Sequence, residues 1–122
     1  MSIKPQVLDL ISLVENGQML EAMNRYYDEN VAMQENISPP VVGFAENYAR
    51  EQAFYGSLEA LKFKLVSVVV EGDRAAINWV FDYTTADGAQ YRMDEIAIQT
   101  WRNGKIIHER YVYDPGSLAV AA

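Results

Sequence analysis

Three acidic side chains and two tyrosines of this 122-residue chain could together perform acid–base chemistry. Asp94 and Glu109 lie among apolar and aromatic residues in the last third of the chain, and Glu35 precedes a proline-rich segment. A carboxyl group among apolar side chains holds its proton more tightly, so it can both accept and donate a proton near neutral pH. We therefore predict Glu109, Asp94 and Glu35 as candidate catalytic residues, with Tyr111 and Tyr113 beside them.

These residues belong to a predicted β-hairpin. Asn103-Gly104 separates two runs of β-forming residues, and both residues tolerate the positive φ angles of a type I′ turn. Counting outward from a two-residue turn pairs Ile98 with Glu109 and Asp94 with Tyr113. Because side chains alternate along a strand, one face is predicted to be the wall of a pocket. That face would carry Asp94, Ile96, Ile98, Thr100, Ile107, Glu109, Tyr111 and Tyr113. The opposite face would carry Glu95, Ala97, Gln99, Trp101, Ile106, His108, Arg110 and Val112.

The elements that must position this hairpin follow from the spacing of apolar residues. A first helix carries Val7 to Val14 and stops at Asn16-Gly17, and a second runs from Met19 to about Tyr27. A third helix runs from Gly43 to about Tyr55, with Tyr48 on its inner side. Strands are predicted over 31–35, 61–70 and 74–85, the last with Trp79 and Phe81 alternating on one face. Helices followed by antiparallel strands indicate a single α+β domain over residues 1–122.

The composition excludes several classes of site. There is no cysteine, so disulfides, thiolate nucleophiles and cysteine-ligated metals are absent. One histidine, His108, makes a transition-metal site improbable, and we expect no metal and no cofactor. The net charge of −7 disfavours nucleic-acid binding. No apolar run is long enough to span a bilayer and no signal peptide is evident, so we expect a cytoplasmic protein with a frayed tail from Gly116.

Two stretches of the sequence resemble a known family. The aromatic and acidic residues 26–31 lead to Gly43, and the Asn-Gly-Lys-Ile turn within residues 101–106 leads to Tyr113-Asp114. With the order of elements, they resemble the SnoaL-like proteins of the nuclear transport factor 2-like superfamily. That resemblance implies a cystatin-like α+β roll, in which a curved antiparallel sheet and N-terminal helices form a cone around a pocket. Since this fold supports many activities, function must be argued from the site.

Relatives in this superfamily make two activities less favourable. In the layout of ketosteroid isomerase, Glu35 resembles the general base, but Leu10 and Ile98 stand where that enzyme needs hydrogen-bond donors. In the layout of limonene epoxide hydrolase, Tyr111 replaces the proton-donating aspartate, and residues 75–83 contain no arginine. A SnoaL-type cyclase needs one carboxylate near the last strands, so that activity is compatible with the chain.

We therefore expect a pocket for a small hydrophobic, carbonyl-bearing molecule, and an isomerase or cyclase that uses a pocket carboxylate without a cofactor. The ligand-binding residues would be Tyr111, Tyr113, Trp79, Phe81, Tyr48 and Ile98. The alternative is a non-catalytic module that binds a small molecule or docks a protein. Apolar residues predicted for the outer hairpin face, together with His108, also predict a homodimer through that face.

Overall fold

Helices from the N-terminal half cover one face of a six-stranded sheet. The structure, a computed structural model, describes residues 2–117. The helices are α1 Lys4–Glu15, α2 Met19–Tyr26 and α3 Phe44–Gly56. The strands are β1 Tyr27–Glu35, β2 Val41–Val42, β3 Leu58–Glu71, β4 Arg74–Thr85, β5 Gln90–Arg102 and β6 Lys105–Val112. Pro115–Ser117 forms a short 3₁₀ turn, and the rest of the tail predicted to fray lies outside the described residues.

The turn between α1 and α2 is fixed by backbone hydrogen bonds. Gly17, with a φ of 78°, donates to the carbonyl of Val14 at 3.0 Å, and Gln18 donates to the carbonyl of Leu13 at 2.8 Å. These two bonds are those of a Schellman motif, in which a glycine adopts the left-handed conformation and the last helical carbonyls find donors. The predicted stop of the first helix at Asn16-Gly17 is confirmed.

The sheet is mixed, and it does not close on itself. Its strand order is β2-β1-β6-β5-β4-β3, and every neighbouring pair is antiparallel except β1 with β6. A parallel pair needs a long connection, which the chain between Glu35 and Lys105 provides. The α+β class and the curved sheet are confirmed, whereas the all-antiparallel pairing is wrong. The two residues of β2 extend the edge beside β1, where no strand was predicted.

A bulge changes the predicted register of the last hairpin. The two-residue turn is as expected, since Asn103 and Gly104 have φ angles of 53° and 77°. Beyond it, however, Thr100 pairs with His108 instead of Ile107. The extra residue in β6 shifts every later pair by one, so Gln99 lies opposite Glu109. Even-numbered residues of β5 therefore point outward and odd-numbered ones inward.

This shift reverses the predicted faces of β5 but not of the end of β6. Ala97, Trp101 and Ile106, expected on the outer face, are buried in the core. They pack with residues of α1 and α2, including Val7 and Met23. The core fills one end of the space between the helices and the sheet and leaves room at the other end. Within residues 2–117, no helix is long and apolar enough to cross a lipid bilayer.

Candidate active site

The concave face of the sheet and the helices enclose a cavity of about 370 Å³. Most of its lining is apolar or aromatic, but four glutamates, one from each of β1, α3, β5 and β6, also line it. The lining consists of Leu10, Val14, Met19, Tyr27, Glu35, Arg50, Glu51, Phe54, Tyr55, Phe63, Trp79, Phe81, Tyr83, Met93, Glu95, Gln99, Glu109, Tyr111 and Tyr113. A cavity of this kind combines apolar binding surface with a few polar groups that can orient a ligand.

Aromatic rings of β3 and β4 form one wall of the cavity. Phe63 stacks on Phe81 with ring centroids 4.7 Å apart, and Phe81 stacks in turn on Tyr83 at 5.8 Å. Trp79 meets the edge of Phe63 at 5.6 Å. Trp79 and Phe81 therefore line the cavity, where the sequence predicted them. Such a wall suits a flat, apolar ligand.

Glu109 is buried at the base of the cavity, and both of its oxygens are hydrogen-bonded. It is 2% exposed. Its Oε1 accepts from the hydroxyls of Tyr27 and Tyr111, the latter at 2.6 Å, and its Oε2 accepts from Nε2 of Gln99 at 2.7 Å. Burial raises the pKa of Glu109, while the three donors act in the opposite direction. Both carboxylate oxygens of Glu109 therefore have donors from neighbouring side chains.

The network around Glu109 extends to a buried tryptophan. Nε1 of Trp101 donates to Oε1 of Gln99 at 3.0 Å, which orients the Gln99 amide so that its nitrogen faces Glu109. Burial and the charge of Glu109 place the pKa of both Tyr27 and Tyr111 well above the usual value of 10.0. Both phenols thus remain protonated donors, and the carboxylate accepts from every neighbour.

Glu95 is another buried carboxyl group of this cavity. It lies on β5 opposite Trp79 and is 7% exposed. Within the described residues, its carboxyl group forms no hydrogen bond or ion pair with another side chain. Burial, with repulsion from Glu109 and Glu51, raises its pKa from 4.5 to about 8. A group in this state can exchange a proton with a ligand near neutral pH.

Glu51 enters the same cavity from α3. Burial raises its pKa from 4.5 to about 7, against the lowering effect of the neighbouring Arg50 charge. Repulsion from Glu109 raises the pKa further, and a hydrogen bond with Tyr55 lowers it. Glu51 and Glu95 are therefore two carboxyl groups of one cavity that titrate in the neutral range.

Glu35 and Arg50 lie together at the rim. Oε1 of Glu35 accepts from the hydroxyl of Tyr113 at 2.8 Å, and Oε2 lies 3.7 Å from the guanidinium of Arg50. The guanidinium of Arg50 is oriented by a hydrogen bond, because it also donates to Oδ1 of the buried Asn47 at 3.1 Å. Burial and the hydrogen bond to Glu35 raise the pKa of Tyr113 to about 12. Glu35 thus has both a donor and a countercharge, unlike Glu95.

The structure brings together most, but not all, of the predicted site residues. Glu35, Glu109, Tyr111, Tyr113, Trp79 and Phe81 all line the cavity. Asp94 does not: it is exposed on the outer face and accepts from Nδ2 of Asn78 at 2.8 Å. Ile98 also lies on the outer face. The bulge in β6 shifts the pairing of β5 by one residue, so that Asp94 and Ile98 lie on the face opposite to the predicted one. Tyr48 stacks on Phe44 at 5.4 Å and lies outside the cavity lining.

Glu51 and Glu95 were not among the site residues predicted from the sequence. Glu51 could have been found, because it lies four residues before Tyr55 and so shares the inner face of the third helix. Glu95 could not, since the turn-based register placed it on the outer face. The bulge at Ile107, which no local sequence feature indicates, determines which face of β5 carries Glu95.

Comparisons with known proteins place this geometry in a family context. A family model for the SnoaL-like domain matches residues 7–109. A solved structure of a candidate SnoaL-like polyketide cyclase from Mesorhizobium loti is 26% identical, with a TM-score of 0.78 over 91% of this chain and 98% of that one. No curated protein matches the chain significantly.

Two more distant structures share the fold. A candidate polyketide cyclase from Pseudomonas putida is 21% identical, with a TM-score of 0.74 over 96% of this chain and 95% of that one. A candidate isomerase from Bacillus subtilis is 18% identical, with a TM-score of 0.78 over 96% of this chain and 92% of that one.

Proposed function

The chain belongs to the SnoaL-like domain family, and on this premise we propose that it is a cofactor-free acid–base enzyme acting on a small, hydrophobic, carbonyl-bearing molecule. The observation that carries this proposal is the pair Glu51 and Glu95, two buried carboxyl groups with pKa values of about 7 and about 8 in one cavity. The similarity to a candidate polyketide cyclase supports isomerase or cyclase chemistry. In this proposal the catalytic residues are Glu51 and Glu95, in place of the predicted Glu109, Asp94 and Glu35.

Near pH 7.5, a pair with pKa values of about 7 and about 8 holds one proton. Glu51, whose ionised form is favoured by the neighbouring Arg50 charge, is the ionised member and accepts a proton from the carbon next to the carbonyl group. Glu95, the protonated member, donates to the carbonyl oxygen, so that the product is the neutral enol. In a conjugated dienol, return of the proton from Glu51 to a different carbon, with the hydroxyl proton going back to Glu95, completes an isomerisation. When the enol carbon instead attacks a second carbonyl group, the new alkoxide takes the proton from Glu51, Glu95 regains the hydroxyl proton, and a ring is formed.

The remaining cavity residues support this reaction. The wall of Phe63, Trp79 and Phe81 would hold the ligand flat and exclude water from the two carboxyl groups. The charge of Glu109 raises the pKa of both carboxyl groups. Because Glu109 is held by three donors, it can exert this effect without contacting the ligand.

Exchange of the methyl protons of acetophenone in D₂O tests the proposal. Loss of the methyl proton signal, followed by nuclear magnetic resonance, reports proton removal next to a carbonyl group. We expect the protein to accelerate exchange, with a bell-shaped pH profile whose limbs lie near 7 and 8. Binding of acetophenone without acceleration over buffer would contradict catalysis and favour the non-catalytic binding module.

We also propose a homodimer through the outer face of the sheet. Ile96 is 41% exposed and Val69 is 63% exposed on this face, beside the less exposed Ile98 and Val112. His108 lies among them. Apolar side chains of neighbouring strands form a surface that a second copy could cover. We expect a dimer mass by light scattering at micromolar concentration and a monomer for Ile96→Lys; a monomeric wild type would contradict the dimer.

A further inference from the structure

A groove adjoins the cavity on the side where β3 lies, away from β6. It has a volume of about 430 Å³ and lies between the turn joining α1 to α2 and the first half of β3. Its lining is Val14, Glu15, Gly17, Gln18, Met19, Leu20, Glu21, Tyr55, Leu61, Lys62 and Phe63. Four of these residues, Val14, Met19, Tyr55 and Phe63, also line the cavity. The two spaces therefore share a common wall.

That shared wall consists of side chains. The rings of Tyr55 and Phe63 meet edge to face with centroids 6.5 Å apart. Met19 completes the wall, and its unbranched side chain adapts to its surroundings at little cost. Rotation of these side chains could join the two spaces without any change in the backbone.

The groove and the cavity differ in chemistry. Leu20, Leu61 and Phe63 give the groove an apolar floor. The acidic residues at its rim already have partners: Glu15 accepts from the backbone nitrogen of Leu65 at 3.3 Å, and Glu21 pairs with Arg25 at 3.3 Å. The groove therefore offers apolar surface without the buried carboxyl groups that the cavity provides, which suits an inert part of a ligand.

We propose that this groove is a subsite for an unbranched hydrocarbon chain attached to the carbonyl-bearing head that occupies the cavity. The inference rests on the proposed function and narrows its substrate class to carbonyl compounds with an alkyl or acyl tail. The wall that the groove shares with the cavity and the partnered rim support this occupant. The head would lie between Glu51 and Glu95, and the tail would pass between Tyr55 and Phe63 into the groove.

Calorimetric titration of acetophenone and its 4-ethyl, 4-butyl and 4-hexyl derivatives tests the subsite. Each methylene group moved from water to an apolar site contributes about 0.8 kcal/mol, which corresponds to about a fourfold gain in affinity. We expect such a gain along the series for the wild type. Leu61→Trp, which fills the groove, should abolish the gain, and Leu20→Trp provides a second variant from another element should the first fail to fold.

Leu8→Trp is the matched control, because Leu8 is an exposed residue of α1 outside both linings. It should retain the wild-type dependence on chain length. A wild type without the gain, or a Leu61→Trp variant that keeps it, would overturn the subsite. Proton exchange separates the two proposals: exchange without a chain-length gain removes the groove alone, and a gain without exchange removes the catalytic proposal alone.

Discussion

Replacing Glu95 with glutamine is expected to lower the rate of acetophenone proton exchange about 10²–10⁴-fold, the range typical for loss of a general acid. The amide has nearly the shape of the carboxyl group but cannot deliver a proton to the carbonyl oxygen. Since the carboxyl group of Glu95 forms no hydrogen bond with another side chain within residues 2–117, and its backbone carbonyl still accepts from Asn78, the variant should remain folded. Glu51→Gln is expected to cause a similar loss, because it removes the base.

Glu46→Gln is the control for the change in charge. Glu46 lies on the same helix as Glu51, but it is exposed and outside the cavity lining. Its replacement removes one negative charge from the surface and should leave the exchange rate unchanged. A Glu95→Gln variant that exchanges protons as fast as Glu46→Gln would show that Glu95 has no part in the reaction.

Replacing Glu109 with glutamine should lower the free energy of unfolding by about 1–3 kcal/mol. The amide oxygen can still accept from Tyr27 and Tyr111, but the amide nitrogen then faces Nε2 of Gln99, which is also a donor. Turning Gln99 over would place its nitrogen against Nε1 of Trp101. In either arrangement one buried donor is left without an acceptor.

Exchanging the two residues should restore the network. In the double variant Gln99→Glu/Glu109→Gln, the carboxylate at position 99 accepts from Trp101 and from the new amide, whose oxygen accepts from Tyr27 and Tyr111. Every donor again has a partner, so the double variant should be more stable than Glu109→Gln alone. Gln99→Glu alone places two carboxylates in contact and should be destabilising as well.

Urea denaturation of the four proteins gives the coupling energy between the two positions. We expect a favourable coupling of about 1–3 kcal/mol, which is the typical cost of one buried donor without an acceptor, because the double substitution gives that donor an acceptor again. Additive effects of the two single substitutions would contradict the directional hydrogen-bond network from Trp101 through Gln99 to Glu109.

The sequence was sufficient to predict the elements that local rules determine. Apolar spacing identified α1, and Asn16-Gly17 marked its end because a left-handed glycine completes the helix terminus. The turn at Asn103-Gly104 followed from the positive φ angles that both residues tolerate. The end of β6 was also predicted correctly, so Glu109 and Tyr111 lie on the pocket face.

Which side chains of β5 face the cavity depends on a feature that the local sequence does not indicate. One extra residue in β6 reverses which side chains of β5 face the cavity, and Ile107 is not a residue type that marks a bulge. The packing of Trp101 and Ala97 against the core favours the shifted register, since the unshifted one would expose Trp101 and bury Asp94. Such a choice depends on the whole core, which the hairpin sequence alone does not describe.

The most direct test of the central claim is carbon-13 titration of the glutamate side-chain carboxyl groups. We expect two resonances with apparent pKa values of about 7 and about 8, one absent from Glu51→Gln and the other from Glu95→Gln. Glu51→Gln should also lower the pKa of Glu95, because the repulsion from the Glu51 carboxylate is lost. Titration of both groups near the usual value of 4.5 would contradict the proton-sharing pair and, with it, the proposed acid–base enzyme.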